Sequence, residues 1–366
     1  MERKRGMSST KEIHPRLKHY PWHSDYVKMA SEFRPYVMFA HEANYRSTSV
    51  NTDDFGLREQ FDFKGEVVNW RNLGREPHTI LLGGSSVFGV DASSDVQTLS
   101  AHLQKHQKSV LNWGVRGASN QQELLHFLFL KRFVPRIQHV VLLTGVNLCS
   151  LASLKNIVMY PDYGAIFSQQ VHFSKLLEDY RRKSRDPSFE LRRFLVDQVA
   201  PMLEKNRLLG SAVHFFLNPR RVAQPRPLMD FQYKIDLQLE LLENDLDTWR
   251  CLSKEMGFKL HFVLQPAIRW TLKPLTFVEK QCFEADLKIH PSTLDYANSK
   301  FYEWYCRRLG GLCARRGIDF HDSNQWLNVP ELSDKAIFTD VCHLTDEGNK
   351  EIAVQMQKRL KWNQDA

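Results

Sequence analysis

The chain has 366 residues, 42% of them hydrophobic and 25% charged, and a formal net charge of +8. This is the make-up of a soluble globular protein, and its longest apolar runs, 124–130 and 139–143, are far too short to cross a bilayer. The length fits one large domain with an insertion, or two domains, and there is no internal repeat or low-complexity tract.

The start, MERKRGMSST, is basic with no apolar run behind it, so no secretory leader is expected there. Residues 1–75 carry turn residues and few helical stripes; they predict an amino-terminal arm that contains a β-hairpin and packs on the core. From residue 79 the pattern becomes regular. TILLG (79–83) reads as a strand, TLSAHLQKH (98–106) as a helix and SVLNWG (109–114) as a second strand. SNQQELLHFLFLKRF (119–133) reads as a helix, with Ser119 and Gln122 spaced as a capping box. HVVLLTG (139–145) is continuously apolar, as expected of a strand covered on both faces.

Residues 151 to about 228 break this alternation. They are basic and aromatic-rich, show no strand signals, and predict a mainly helical insertion. A long helix follows, with Ile235, Leu239, Leu242, Leu246, Trp249, Leu252 and Met256 on one stripe and Gly257 as its stop. Insertion and helix together span 151–257. FKLHFVLQP (258–266) is a fourth strand, 298–317 a helix, IDFHD (318–322) a fifth strand, and Asp346 to Leu360 a last helix. Strands that alternate with helices predict βαβ units around a parallel sheet, with residues 76–150 and 258–366 as the core.

Ligands gather at the carboxyl ends of such strands, which directs attention to the loops there. The first strand runs into Gly83-Gly84-Ser85-Ser86-Val87-Phe88-Gly89, the second into Gly114-Val115-Arg116-Gly117, the third into Gly145-Val146-Asn147. The loop before the last helix reads Asp340-Val341-Cys342-His343. A serine hydroxyl attacks a carbonyl only when a neighbouring base takes its proton. Histidine suits that role near neutral pH, and a carboxylate three residues away can reach the imidazole and fix its tautomer. Either Ser85 or Ser86 could be the nucleophile, and each could equally be a turn or helix-capping residue.

These four blocks, GGSSVFG, NWGVRG, GVN and DVCHLTDEG, resemble the SGNH-type (GDSL-like) hydrolases. The resemblance covers roughly 76–150 and 258–366. It implies a flavodoxin-like three-layer α/β/α fold with a five-stranded parallel sheet. It also implies that Ser85 is the nucleophile, His343 the base and Asp340 its orienter, with Ser85, Gly117 and Asn147 forming the oxyanion hole. Gly84 stands where that family usually has Asp, and Leu148 where an Asp often follows the Asn. Trp113 and Arg116, which flank the second loop, are candidates for substrate binding.

The implied activity is cleavage of an acyl ester through an acyl-serine intermediate. One alternative is an O- or N-acyltransferase that takes its acyl group from a carrier; a second is a non-catalytic binding protein on the same scaffold. Residues 175–226 hold twelve Lys/Arg against six Asp/Glu, a charge that fits a solvated helical face or a docking surface for an anionic donor such as coenzyme A or an acyl carrier protein. No zinc finger, RNP-like strand or recognition-helix pattern accompanies it, so nucleic acid is not the expected partner. The six cysteines form no CxxC pair and no zinc-like spacing, which predicts reduced thiols, no metal centre, no cofactor and a cytoplasmic protein. There is no GxSxG elbow around Ser85.

Overall fold

The computed structural model describes residues 14–62, 65–68, 70–105, 109–153, 230–360 and 362. Most of the expected insertion, with its basic stretch, lies outside the described residues.

The amino-terminal arm comprises helices α1 (Pro15–His19) and α2 (His23–Lys28), a hairpin of β1 (Ser31–Arg34) and β2 (Met38–His41), and a short antiparallel pair, β3 (Gln60–Phe61) and β4 (Val67–Val68). The hairpin is as expected; the two helices are not, because at five and six residues they are too short to show a stripe. Arg58 secures this region to the core. Its side chain is fully buried and donates from Nε to Asp95 Oδ1 (2.5 Å) and from Nη2 to Ser49 O (2.6 Å). It also donates from Nη1 to the Tyr26 hydroxyl and to Gly89 O. Removing one partner of such a buried pair typically costs about 3–5 kcal/mol, because the other charge is left without compensation.

The central sheet has five strands: β5 (His78–Gly83), β6 (Val110–Gly114), β7 (Ile137–Thr144), β8 (Lys259–Leu264) and β9 (Asp319–Asp322). All four pairings are parallel and the order is β6-β5-β7-β8-β9. Each expected strand is present within two residues of its predicted ends. One face is covered by α5 (Asn120–Leu130), α6 (Val146–Ser153), α7 (Phe231–Met256) and α9 (Ser299–Ala314), the other by α4 (Leu99–Gln104) and α10 (Asp346–Arg359). The three-layer α/β/α fold follows. With helices on both sides, β5 and β7 need no polar face, which is why they read as unbroken apolar runs.

Local signals set the helix ends. Ser119 and Gln122 form the capping box on α5. Asp230 accepts from Tyr233 N at the start of α7, and Gly257 ends that helix in the left-handed conformation at φ 72°. The α7 stripe from Ile235 to Trp249 is buried, with Trp249 against Phe127 at 4.8 Å between ring centroids, whereas Leu252 is only partly buried and Met256 is exposed. Helix α8 (Phe277–Ile289), an element the pattern reading above does not place, begins with its own capping box between Thr276 and Glu279. Among the described residues no helix is long and apolar enough to cross a membrane.

Candidate active site

The chain leaves β5 to build β6 on one side, then returns to build β7 on the other. The crevice between the carboxyl ends of β5 and β7 is therefore the topological switch point of the sheet, where open α/β sheets hold their ligands. Two loops enter it. Gly84 caps the one-turn helix α3 (Ser85–Phe88), and Asn147 lies in the first turn of α6. A Cβ built on Gly84 would lie 2.4 Å from Asn147 Nδ2, so this position must lack a side chain for Asn147 to occupy its place.

Asn147 Nδ2 donates one hydrogen to Ala118 O at 2.7 Å, which ties β7's loop to the one after β6. The amide keeps a second hydrogen to donate. Gly117 precedes that carbonyl and turns the chain at φ 69°, a conformation that favours glycine. Gly84, Gly117 and Asn147 are therefore brought together.

The tertiary contacts separate the two serines. Ser86 Oγ donates to Cys342 O (2.8 Å) and accepts from Gln265 Nε2 (2.7 Å). It is a strut between α3, the end of β8 and the histidine loop. Ser85, at the first position of α3, makes no side-chain hydrogen bond among the described residues and is at the edge of burial, 9% exposed.

The histidine loop folds around a carboxylate. Asp340 Oδ1 accepts from Cys342 N (2.8 Å) and His343 N (2.7 Å), while Oδ2 lies 2.5 Å from His343 Nδ1. Thr339 N donates to His343 O, Phe338 bridges Leu344, and buried Glu279 accepts from the amides of Ile337 and Phe338. Burial opposes ionisation of Asp340, but the Arg16 cation and its bonds with His343 outweigh it and hold the carboxyl well below the usual range. An ionised carboxylate can only accept, so the shared proton sits on Nδ1. In the neutral ring this leaves Nε2 with a lone pair, and Nε2 is buried with no hydrogen-bond partner among the described residues. The tautomer is the one a base needs.

Several neighbours escaped the sequence reading. Arg16, from α1, places Nη1 2.6 Å from Asp340 Oδ2 and Nη2 3.0 Å from His343 Nδ1. The other edge of its guanidinium holds Asp91 Oδ2, with Nε at 2.6 Å and Nη2 at 2.5 Å. Asp91 is fully buried at φ 69° and also meets His23 Nδ1 and the Thr339 hydroxyl, both at 2.5 Å. Asp286 of α8 lies 3.4 Å from His14 Nε2; burial, then the charge of Asp340, push its carboxyl up to about 7. No local spacing points to these residues, because their partners lie far away in sequence.

The side chains of the two residues expected to bind substrate contact the arm and the core. Arg116 donates to Tyr26 O (2.7 Å) and Met29 O (3.1 Å) of the arm. Trp113 is in the core, 6.2 Å from Phe127 between ring centroids. Asp340, Cys342 and His343 bring potential metal-ligating atoms within 4.8 Å of one another, a cluster the spacing analysis did not anticipate. They fit a metal poorly: the Arg16 cation shares Asp340 Oδ2, and burial pushes the Cys342 thiol well above its ordinary range, away from thiolate.

No protein-family model matches the chain, and no curated protein does. Among solved structures, it is similar to an acetyl xylan esterase at 12% identity and a TM-score of 0.38, over 77% of this chain and 98% of that one. It is also similar to a candidate acylhydrolase from Bacteroides fragilis at 12% identity and 0.40, over 79% and 90%. An extracellular lipase from Streptomyces rimosus matches at 11% and 0.33, over 77% and 99%. At these scores nothing about the chemistry of this chain follows from the likeness; the geometry of the site has to supply it.

Proposed function

We propose that the protein is a serine-dependent acyl-ester hydrolase. The observation that carries this reading is His343, fixed through Nδ1 by Asp340 and left with an unpartnered Nε2, beside a strand-end serine pair in which only Ser85 has its hydroxyl uncommitted. As Ser85 Oγ attacks the ester carbonyl, its proton passes to His343 Nε2 and a tetrahedral oxyanion forms. The backbone N–H groups of Ser85 and Gly117 and the second Nδ2 hydrogen of Asn147 receive that charge; losing one such donor typically raises the barrier by about 3 kcal/mol. His343 then returns the proton to the leaving alkoxide as the ester C–O bond breaks. Water, activated by the same nitrogen, releases the acid from the acyl-serine. An alcohol or amine in place of that water would make the protein a transferase, and the basic stretch 175–226 supplies charge suited to an anionic acyl carrier.

A fluorophosphonate should label the wild-type protein on Ser85, located by mass spectrometry, and should not label Ser85→Ala. Acyl-donor profiles with and without added alcohol then distinguish hydrolysis from transfer. Labelling at Ser86, or labelling that survives Ser85→Ala, would overturn the reading.

A further inference from the structure

We propose that the amino-terminal arm is part of the catalytic centre, and that Arg16 is a positioning residue that holds Asp340, and through it His343, by bridging Asp340 to Asp91. This rests on the acyl-transfer reading of the site. The guanidinium is planar and presents donors along two edges. One edge, Nε and Nη2, is taken by Asp91 Oδ2; Nη1 meets the Asp340 oxygen that accepts from His343 Nδ1. Asp91 is itself immobilised by His23 and Thr339 and carries no exposed surface, so the bridge has a fixed far end.

Two consequences follow for the imidazole. The first is orientation. Asp340 is held at Oδ1 by its own loop amides and at Oδ2 by Arg16, and this leaves one direction for His343 Nδ1–H. The second is charge. A cation 3.0 Å from Nδ1 opposes formation of the imidazolium, while Asp340 at 2.5 Å favours it. The other titratable groups around this pair are His14 and His23 of the arm, Asp91 after α3, Cys282 and Asp286 of α8, and Cys342 in the loop itself. Arg16 is the cation among them that touches both members of the His–Asp pair.

Arg16→Met removes both donors and charge; Arg16→Lys keeps the charge but cannot span Asp91 and Asp340 together. Arg16→Met should lower kcat about 10- to 100-fold with KM nearly unchanged, the cost typical of a catalytic group held loosely. The acid limb of its pH–rate profile should move to higher pH, because a cation has gone from beside the imidazole. Arg16→Lys should restore the pH profile but not the full kcat, and added guanidinium should partly rescue Arg16→Met. A second readout needs no turnover. Nitrogen NMR of His343, assigned by its loss in His343→Gln, should show the proton on Nδ1 in the wild type and a weakened, exchange-broadened Nδ1–H signal in both variants. A folded Arg16→Met with wild-type kcat, pH profile and Nδ1–H signal would overturn the proposal. So would a wild-type proton on Nε2, since Arg16 would then be donating to Nδ1 and blocking the base. If Arg16→Met does not fold, Arg16→Lys alone decides. Should wild-type Ser85 resist the fluorophosphonate, the hydrolase reading fails while the NMR comparison still tests Arg16.

Discussion

Two groups of histidines sit at different levels of the same sheet and meet opposite fates. Above the carboxyl ends of the strands, His343 is paired with Asp340, flanked by Arg16, and keeps a ring nitrogen with no partner among the described residues. Within the strands, His139 of β7 and His261 of β8 stack at 5.4 Å between centroids, with His321 of β9 at 6.0 Å from His261 and Trp362 at 6.3 Å from His139. His261 is 2% exposed, and burial, then its neighbours His139 and His321, push it down to about 3. A histidine becomes chemically useful when a fixed carboxylate compensates the charge it must acquire. Asp319, 3.7 Å from His261 Nδ1, is 68% exposed and does not play that part, so burial keeps His261 neutral, and it serves the core as a flat ring within hydrogen-bond distance of His139 Nδ1.

The largest test of this contrast is to remove the chemistry and leave the packing. Ser85→Ala and His343→Ala should each lower kcat by about 10⁴-fold or more, and the double variant should be no worse than either, because residues that act as one unit are not additive. Asp340→Asn should cost less than the loss of the serine. Melting curves should show all four variants folded. If either His139→Gln or His261→Gln cost as much activity as His343→Ala, the division into a reactive and a structural histidine group would be wrong.

Gly84→Ala sharpens the comparison from the oxyanion side. The added methyl collides with Asn147 Nδ2, so kcat should fall by about 10²-fold, comparable with losing one oxyanion donor. Unchanged kcat would mean that Asn147 takes no part in the rate-limiting step. Ser86→Ala should act on stability more than on chemistry. It strips Gln265 and Cys342 O of a buried partner, which typically costs about 1–3 kcal/mol, and should lower Tm while leaving kcat within a few-fold of wild type. Loss of fluorophosphonate labelling in this variant would reverse the roles of the two serines.

The smallest effect concerns pH. His261 binds a proton near pH 6.5 when unfolded but only at about 3 when folded. Its neutral form therefore contributes stability fully above pH 6.5, and that contribution is lost as pH falls from 6.5 toward 3. His261→Phe, which keeps a ring in the stack, should flatten the decline of Tm across this window and spare activity at neutral pH. The difference between the two curves isolates the histidine, because Glu123, pushed up to about 8 by burial, titrates in the opposite sense in both proteins. Parallel curves would contradict the assignment of a depressed His261.

The strands were legible because both faces of the sheet are covered, so a run such as Val140 to Leu143 needs no polar residue and announces itself. The loops that carry Ser85, Asn147 and His343 were legible only as a set, since each alone is an ordinary turn. Which serine is free could not be read, because Ser86 is tied by Gln265 and Cys342, 179 and 256 residues away. Arg16 and Asp91 were invisible for the same reason: their value comes from contacts between distant segments. Helix α8 is different. Its Thr276 and Glu279 capping pair lies in the sequence, but its short mixed apolar pattern gives a weak stripe.

The bridge through Arg16 also orders the making of the site in time. Arg16 and Asp91 are 75 residues apart, whereas Arg16 and His343 are 327 apart. Chains fold largely from the amino end as they are synthesised. The salt bridge to Asp91 can thus close before Asp340 is made, leaving a guanidinium already aimed at a carboxylate not yet translated. Asp340 and His343 arrive last and dock on a prepared cation. On the proposed acyl-hydrolase reading, a nascent chain that reaches only to Asp91 has the serine turn but not His343, and can do no acyl chemistry.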